Sequence, residues 1–306
     1  MLPKLNQSTG CIAGPRISLG LVFLISGYCG LIANIICSLV VIKWKHYTLS
    51  TRLLIVAQCC LNFCHCSVYL CYLGPILLRQ TDSSFSAFPL SRALVLFWGY
   101  GSQFIMSVTS LHLATSLCQV VPEHLQLKGV KFAIAICFVG SAVYSAVTWV
   151  AVNAGAFSIC RLRWETGPPH HTKWFTVSVL TAAKTTAGVC VGVTILSYLA
   201  LTTEIQRKRK NSLGLTDFAQ IQRKHVVVSV QMAFLALLRM TFVFLGIDWL
   251  VAKIRYLGPV EEMLIFELIK IILSTADPVV LFSTSKEMRK AASRLLQCRT
   301  SGISPN

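Results

Sequence analysis

Seven long apolar segments dominate the sequence, and each is long enough to cross a lipid bilayer as one helix. A helix rises 1.5 Å per residue, so about 20 apolar residues cover the hydrocarbon core. Seven such segments predict an all-α membrane protein, a seven-transmembrane helix bundle. The segments lie near 17–43, 51–78, 92–121, 130–155, 174–203, 225–250 and 259–283.

The composition excludes the main alternative classes. Only 13% of the 306 residues are charged, 55% are hydrophobic, and the mean hydropathy is +0.67. A soluble protein normally carries about twice this charged fraction, and so apolar a surface would aggregate in water. An ordinary soluble enzyme, a disordered chain and a fibrous repeat are therefore excluded. The net charge of +17 does not indicate nucleic-acid binding, because the basic residues lie mostly in short segments between apolar runs.

The distribution of these charges predicts the orientation of the chain. With the N-terminus outside, 16 of the 28 Lys and Arg residues fall in inner segments and nine, Arg92 among them, in outer segments. Positive charge concentrates on the cytoplasmic side of membrane proteins. We therefore expect an extracellular tail over 1–16, a seven-span domain over 17–283 and a cytoplasmic tail over 284–306.

The outer segments contain two further candidates. Asn6 begins an Asn-Gln-Ser glycosylation acceptor in the outer tail. Cys11 and Cys160 are the cysteines of the outer segments and candidates for one disulfide, although sequence leaves its geometry open. The Cys-His-Cys run at 64–66 does not predict a metal site, because residues i and i+2 of a helix point to different faces.

The inner tail begins with a predicted amphipathic helix. Thr284 and Glu287 form a possible capping box, and Cys298 near the end is either a palmitoylation site or a free thiol. Basic residues alternate with the apolar ones, so the helix would lie along the inner leaflet. The apolar residues at helical spacing are Met288, Ala291, Ala292, Leu295 and Leu296.

Two motifs resemble those of rhodopsin-like G protein-coupled receptors. Gly30-Leu-Ile-Ala-Asn34 resembles the first-span Gly-x-x-x-Asn signature, and Asp277-Pro278-Val-Val-Leu-Phe282 resembles the seventh-span Asn/Asp-Pro-x-x-Tyr motif. Asn62 stands where that family usually has a second-span Asp. The resemblance implies a plasma-membrane receptor whose partners are a small-molecule ligand and a heterotrimeric G protein.

The departures from these motifs point to a divergent subgroup. Ala114-Thr115-Ser116 replaces the usual Asp-Arg-Tyr, and the sixth span lacks both Cys-Trp-x-Pro and any proline. Leu113-Ala-Thr-Ser-Leu117 and the segment Leu196–Gln206 resemble bitter taste (type 2) receptors. The first-span pattern is closer to vomeronasal type-1 receptors, which remain the alternative.

Ionisable residues inside the spans predict a ligand pocket, because each costs about 2.5–3.5 kcal/mol to insert. Lys184, Arg239 and Lys270 lie about 15–16 Å below the outer surface, and Glu267 is one turn from Lys270. A local charge of about +2 would favour an anionic or strongly hydrogen-bonding ligand. Alternatively, Glu267 neutralises Lys270 and the other cations bond backbone carbonyls or reach the interface. The third span would contribute Trp98, Tyr100, Gln103 and, less directly, His112.

Asn34, Asn62 and Asp277 lie deeper, and buried polar groups in hydrocarbon must be satisfied or hydrated. The resemblance implies that they and Pro278 form a network that rearranges on activation; a static packing cluster is the alternative. On the inner face, basic residues are candidates to contact the G protein, or anionic lipid alone. They are Arg207, Lys208, Arg209, Lys210, Arg223 and Lys224.

Two other classes compete with a receptor. A small transporter or channel predicts an inverted repeat or helices broken by paired Gly and Pro, and the sequence contains neither. An intramembrane enzyme could use His65, His112 and Asp277, but no HExxH-type or paired-carboxylate spacing supports it. We therefore expect no enzymatic activity and no metal or cofactor.

Overall fold

The structure is a computed structural model that describes residues 13–43, 47–79, 88–117, 122–152, 154–158, 163–166, 173–211 and 259–300. Six of the seven predicted spans fall wholly or mostly in these ranges, and the sixth (225–250) lies outside them. Within the ranges, five helices are each long and apolar enough to cross a membrane. A sixth candidate combines the seventh span with the terminal helix beyond a 99° bend.

The spans begin and end close to the predicted positions. The fourth starts seven residues earlier than expected and the fifth continues to Asn211, because helical hydrogen bonding extends past the apolar stretch that marks the bilayer. The described spans are Ala13–Lys43 (first), Leu49–Val68 with Tyr69–Leu73 and Gly74–Arg79 (second), Phe88–Leu117 (third), Glu123–Val152 (fourth), Lys173–Asn211 (fifth) and Pro259–Thr284 (seventh).

The second span contains one π-helical turn, Tyr69–Leu73, next to Pro75. Proline has no backbone N–H and cannot continue the helical ladder. The Gly74 N–H instead bonds the carbonyl of Tyr69, five residues back. This wider turn shifts the register by one residue, and such turns often occur at functional sites.

Buried apolar clusters hold the spans together at three levels. The outer cluster joins the first, second and seventh spans, and the middle cluster joins the second, third, fourth and seventh. The inner cluster joins the first, second and seventh spans to the terminal helix. Their largest members include Phe23, Tyr69 and Ile271 (outer), Leu61, Trp98 and Ile105 (middle), and Val41, Leu281 and Met288 (inner).

Gly30 marks the closest approach of the first span to its neighbours. A Cβ atom at this position would lie 2.5 Å from Thr275 Cγ2 and 2.7 Å from Cys66 Sγ. Since real side chains do not pack at these distances, a glycine is needed where the first, second and seventh spans meet. The same Gly30 begins the first-span motif described above.

A short hairpin between the fourth and fifth spans was not predicted. Strand β1, Ala154–Ser158, pairs antiparallel with β2, Arg163–Thr166, so that Phe157 lies opposite Trp164. The strands are four and five residues long and have no clear period-two pattern, which explains why sequence reasoning missed them. The prediction of an all-α membrane bundle is confirmed for the spans.

The terminal helix Lys286–Thr300 is the amphipathic helix expected from the sequence. Its cap is Ser285 rather than Thr284, since Ser285 Oγ accepts the Met288 N–H at 3.2 Å. Met288 is fully buried in the inner cluster, whereas Arg289 is exposed and donates to the carbonyls of Phe282 (2.9 Å) and Ser283. These contacts attach the helix to the end of the seventh span.

Candidate functional site

A buried hydrogen-bond network, here called the deep network, joins the second, third and seventh spans. Asn62 Nδ2 donates to Asp277 Oδ2 at 2.6 Å. Asn62 Oδ1 accepts from Trp98 Nε1 at 3.0 Å and from Gln58 Nε2 at 3.1 Å. Gln58 also donates to Ser102 Oγ at 3.3 Å. All five residues are buried, so Asn62 occupies the centre of a contact between three spans.

Asn34 lies beside the deep network and contacts the backbone of the seventh span. Its Nδ2 donates to the carbonyls of Gly30 (2.7 Å) and Ser274 (3.1 Å). Pro278, four residues after Ser274, lies inside the seventh helix and has no N–H for that carbonyl. The structure therefore pairs Asn62 with Asp277 directly and places Asn34 on the carbonyl that Pro278 leaves open.

A second group, here called the outer ion cluster, comprises Tyr69, Arg92, Glu267 and Lys270. Glu267 Oε1 accepts from Lys270 Nζ at 2.6 Å, and Oε2 accepts from Tyr69 Oη at 2.5 Å. The charge of Arg92, in the third span, also acts electrostatically on Glu267. The Glu267 side chain is 2% exposed and that of Lys270 is 22% exposed. Two cations and one carboxylate give this cluster a formal charge of +1.

Sequence reasoning missed two residues of this cluster, Tyr69 and Arg92. The sequence alone assigns Arg92 to an outer segment, whereas the structure places it within the third span, because that helix begins at Phe88. The interaction of Arg92 with Glu267 depends on how the third and seventh helices pack against each other. Sequence spacing along either helix contains no signal for it.

The other predicted ligand-binding residues are dispersed. Lys184 is exposed on the fifth span and makes no hydrogen bond or ion pair with another described residue. Arg239 lies outside the described ranges. Gln103 is partly buried, with its carbonyl accepting from Ser107 Oγ at 3.0 Å, and Trp98 belongs to the deep network. The structure thus brings Glu267 and Lys270 together and does not bring Lys184 to them.

Aromatic rings lie between the deep network and the outer ion cluster. His65 stacks on Trp98 with ring centroids 3.8 Å apart and planes 11° apart. It also meets Tyr69 edge-on, with ring centroids 4.9 Å apart. A pattern in the sequence could have found this face: Gln58, Asn62, His65 and Tyr69 follow one another at spacings of four, three and four.

The remaining third-span candidates make contacts with other helices. Tyr100 Oη lies 2.9 Å from Thr148 Oγ1 in the fourth span. Near the inner end, His112 Nε2 lies 3.3 Å from Thr51 Oγ1 in the second span. His112 is buried and therefore contacts a neighbouring helix rather than an open cavity. This bond ties the third span to the second, one turn before Thr115.

The inner basic residues are only partly described. Arg207 is exposed, and its guanidinium lies 3.9 Å from Glu204 on the same helix. Residues 208–210 continue that helix, but the side chains of Lys208, Arg209 and Lys210 lie outside the description, as do Arg223 and Lys224 altogether.

The predicted glycosylation, disulfide and palmitoylation sites all involve side chains outside the description. Asn6, Cys11 and Cys160 lie outside the described residues. The terminal helix includes Cys298, whose side chain lies outside the description. Among the described side chains, no group of three or more His, Cys, Asp or Glu residues could hold a metal ion.

Comparison with known proteins identifies the fold. No protein-family model and no curated protein sequence matches the chain. The structure is similar to the crystal structure of squid rhodopsin, with a TM-score of 0.67 and 15% sequence identity, over 96% of this chain and 89% of that chain. The chain therefore has the fold of rhodopsin-like G protein-coupled receptors, with six of its spans among the described residues.

Proposed function

We propose that the chain is a chemosensory G protein-coupled receptor, similar to bitter taste receptors, that binds a small molecule in the outer half of its helix bundle. The observation that carries the proposal is the Asn62–Asp277 hydrogen bond, which lies at the motif positions of a rhodopsin-like fold. A receptor needs an element that ligand binding can shift between two arrangements. A buried polar network between three spans is such an element.

The outer ion cluster favours an anionic ligand. Glu267 neutralises one of the two cations, so a charge of about +1 remains between Arg92 and Lys270. Lys270 is the more accessible member of its ion pair. We propose that a ligand carboxylate or similar anion binds at Lys270 and Arg92, with Arg239 and Gln103 as further candidates for the pocket wall. Lys184, which is exposed on the fifth span, is not part of this proposal. Trp98 is buried below this level and would respond to the ligand through His65.

The remaining proposals concern the two membrane surfaces. We propose an extracellular N-terminus with glycosylation at Asn6 and a Cys11–Cys160 disulfide. On the cytoplasmic side, the basic residues at 207–210, 223 and 224 would contact the G protein and anionic lipids. Palmitoylation of Cys298 would add a second anchor to the terminal helix, in the plasma membrane.

A calcium assay in transfected cells tests the function. The cells express the chain with a panel of G protein α subunits and receive bitter compounds and small organic acids. We expect a response to at least one organic acid, lost in Lys270→Gln and in Arg239→Ala with unchanged surface expression. Responses to neutral compounds alone, or to acids that survive both substitutions, would contradict the anionic pocket. No response with any α subunit would contradict the receptor itself.

The class of active compound also separates the two receptor subgroups. A response to bitter compounds supports the type 2 taste assignment. A response confined to other small organic molecules supports the vomeronasal type-1 alternative.

A further inference from the structure

We infer that a stack of three rings, Tyr69, His65 and Trp98, couples the outer ion cluster to the deep network. This inference rests on the proposed function, since it gives the route by which ligand binding reaches the inner half. The series of side-chain contacts begins at Glu267 and ends at Asp277, both in the seventh span. These residues are ten positions apart, about 15 Å along the helix.

The first half of this series of contacts begins at the Glu267 carboxylate. Glu267 holds Lys270 with one oxygen and Tyr69 with the other. An anion that draws Lys270 away leaves Tyr69 as the remaining described hydrogen-bond donor to Glu267. The carboxylate then shifts toward the tyrosine, and the Tyr69 ring, which meets His65 edge-on at 4.9 Å, moves with it.

The second half of this series of contacts ends at Asp277. His65 stacks on Trp98 at 3.8 Å, and the Trp98 N–H bonds Asn62 Oδ1 at 3.0 Å. Asn62 in turn donates to Asp277 at 2.6 Å. A rotation of the indole therefore changes the hydrogen bond that fixes the Asn62 amide.

Burial restricts the movement of the three rings. Tyr69 and His65 are 0% exposed and Trp98 is 6% exposed. In a close-packed interior, no ring can move without displacing its neighbours. This series of side-chain contacts involves the second, third and seventh spans only. It therefore does not require the sixth-span aromatic motif that this sequence lacks.

A stability cycle on the full-length chain, purified in detergent, tests this coupling without ligand or G protein. The melting temperature is measured for Glu267→Gln, Asp277→Asn and the double variant, first in the natural sequence and then in a His65→Leu background. Non-contacting sites normally act additively. We expect the double variant to depart from additivity by at least about 2 °C in the natural sequence, and by less than about 1 °C with His65→Leu.

Glu267 and Asp277 lie on one helix, so coupling between them could run along that helix or through the three rings. The His65→Leu background separates these two routes. Equal non-additivity in both backgrounds would mean that the coupling runs along the seventh span, and it would overturn the ring stack. Additivity in both would overturn any coupling. If His65→Leu fails to fold, Trp98→Phe is the second background, since it keeps a ring and removes the N–H to Asn62. The same loss of coupling is expected there.

A matched control uses Tyr144→Phe in place of Asp277→Asn. Tyr144 bonds Thr186 between the fourth and fifth spans, away from the stack, and additivity with Glu267→Gln is expected. The two proposals fail separately. A failed stability cycle removes the ring stack and leaves the receptor assignment, whereas a silent calcium screen removes the receptor assignment and leaves the coupling.

Discussion

Asn34 donates its side-chain amide to the Ser274 carbonyl at 3.1 Å, the carbonyl that Pro278 cannot bond within its own helix. A proline inside a membrane helix is tolerated when a neighbouring helix satisfies the freed backbone group. The first-span and seventh-span motifs therefore depend on each other: Asn34 of the first supplies the N–H donor that Pro278 of the second lacks.

This relationship predicts that Asn34→Ala destabilises the chain by about 1–3 kcal/mol, because a buried carbonyl loses its partner. In a Pro278→Ala background the same substitution should cost less, since position 278 regains an N–H for the Ser274 carbonyl. Thermal unfolding of the four proteins measures the difference. An equal cost in both backgrounds would contradict the assigned role of Asn34.

Gly30→Ala should also destabilise the bundle, by about 1–3 kcal/mol from overpacking. The added methyl group would overlap Thr275 Cγ2 and Cys66 Sγ, and Thr275→Ser should relieve part of the cost. Gly129→Ala is the matched control, because a Cβ there meets no atom within 4 Å. Unfolding curves should show a loss of stability for the first substitution and none for the control.

Tyr69→Phe should cost about 1.5–3 kcal/mol, because it removes a hydrogen bond to a buried carboxylate. Tyr28→Phe serves as the control, since Tyr28 is 56% exposed on the first span. The comparison requires only the melting temperatures of the two variants. Similar, small shifts for both would show that the Tyr69 hydroxyl contributes little to the outer ion cluster.

Met288→Ala should open a cavity in the inner cluster and destabilise the chain by about 2–5 kcal/mol. Lys290→Ala, two positions along and exposed, should change stability by less than about 0.5 kcal/mol. Limited proteolysis at the C-terminus, read alongside thermal unfolding, should show the terminal helix released only in the first variant. Equal protease resistance would mean that Met288 does not anchor the helix.

Much of the fold could be predicted from the sequence, because the bilayer imposes a length and an apolarity that single segments reveal. The need of Asn34, Asn62 and Asp277 for partners follows from their depth in the spans, whereas the sequence does not say which atoms they bond. The rotation of each helix about its axis was not foreseen. It decides that Lys184 is exposed, that Arg92 approaches Glu267, and that Trp98 bonds Asn62.

Local irregularities were missed for a different reason. The π turn at Tyr69–Leu73 is a single turn beside Pro75, and the hairpin consists of two strands too short to show a period. Sequence patterns average over several turns and cannot resolve such single-residue events. The Ser285 cap, one residue from the expected Thr284, is a case of the same kind.

The π turn has an evolutionary consequence for the second span. One extra residue in a helical turn changes the phase of everything beyond it by about 100°. Residues 74–79, beyond the π turn, can therefore be re-aimed by gaining or losing that single residue, while Asn62 and His65 keep their orientation. A related sequence that gained or lost this residue would present different side chains at this end of the bundle and would keep the deep network unchanged.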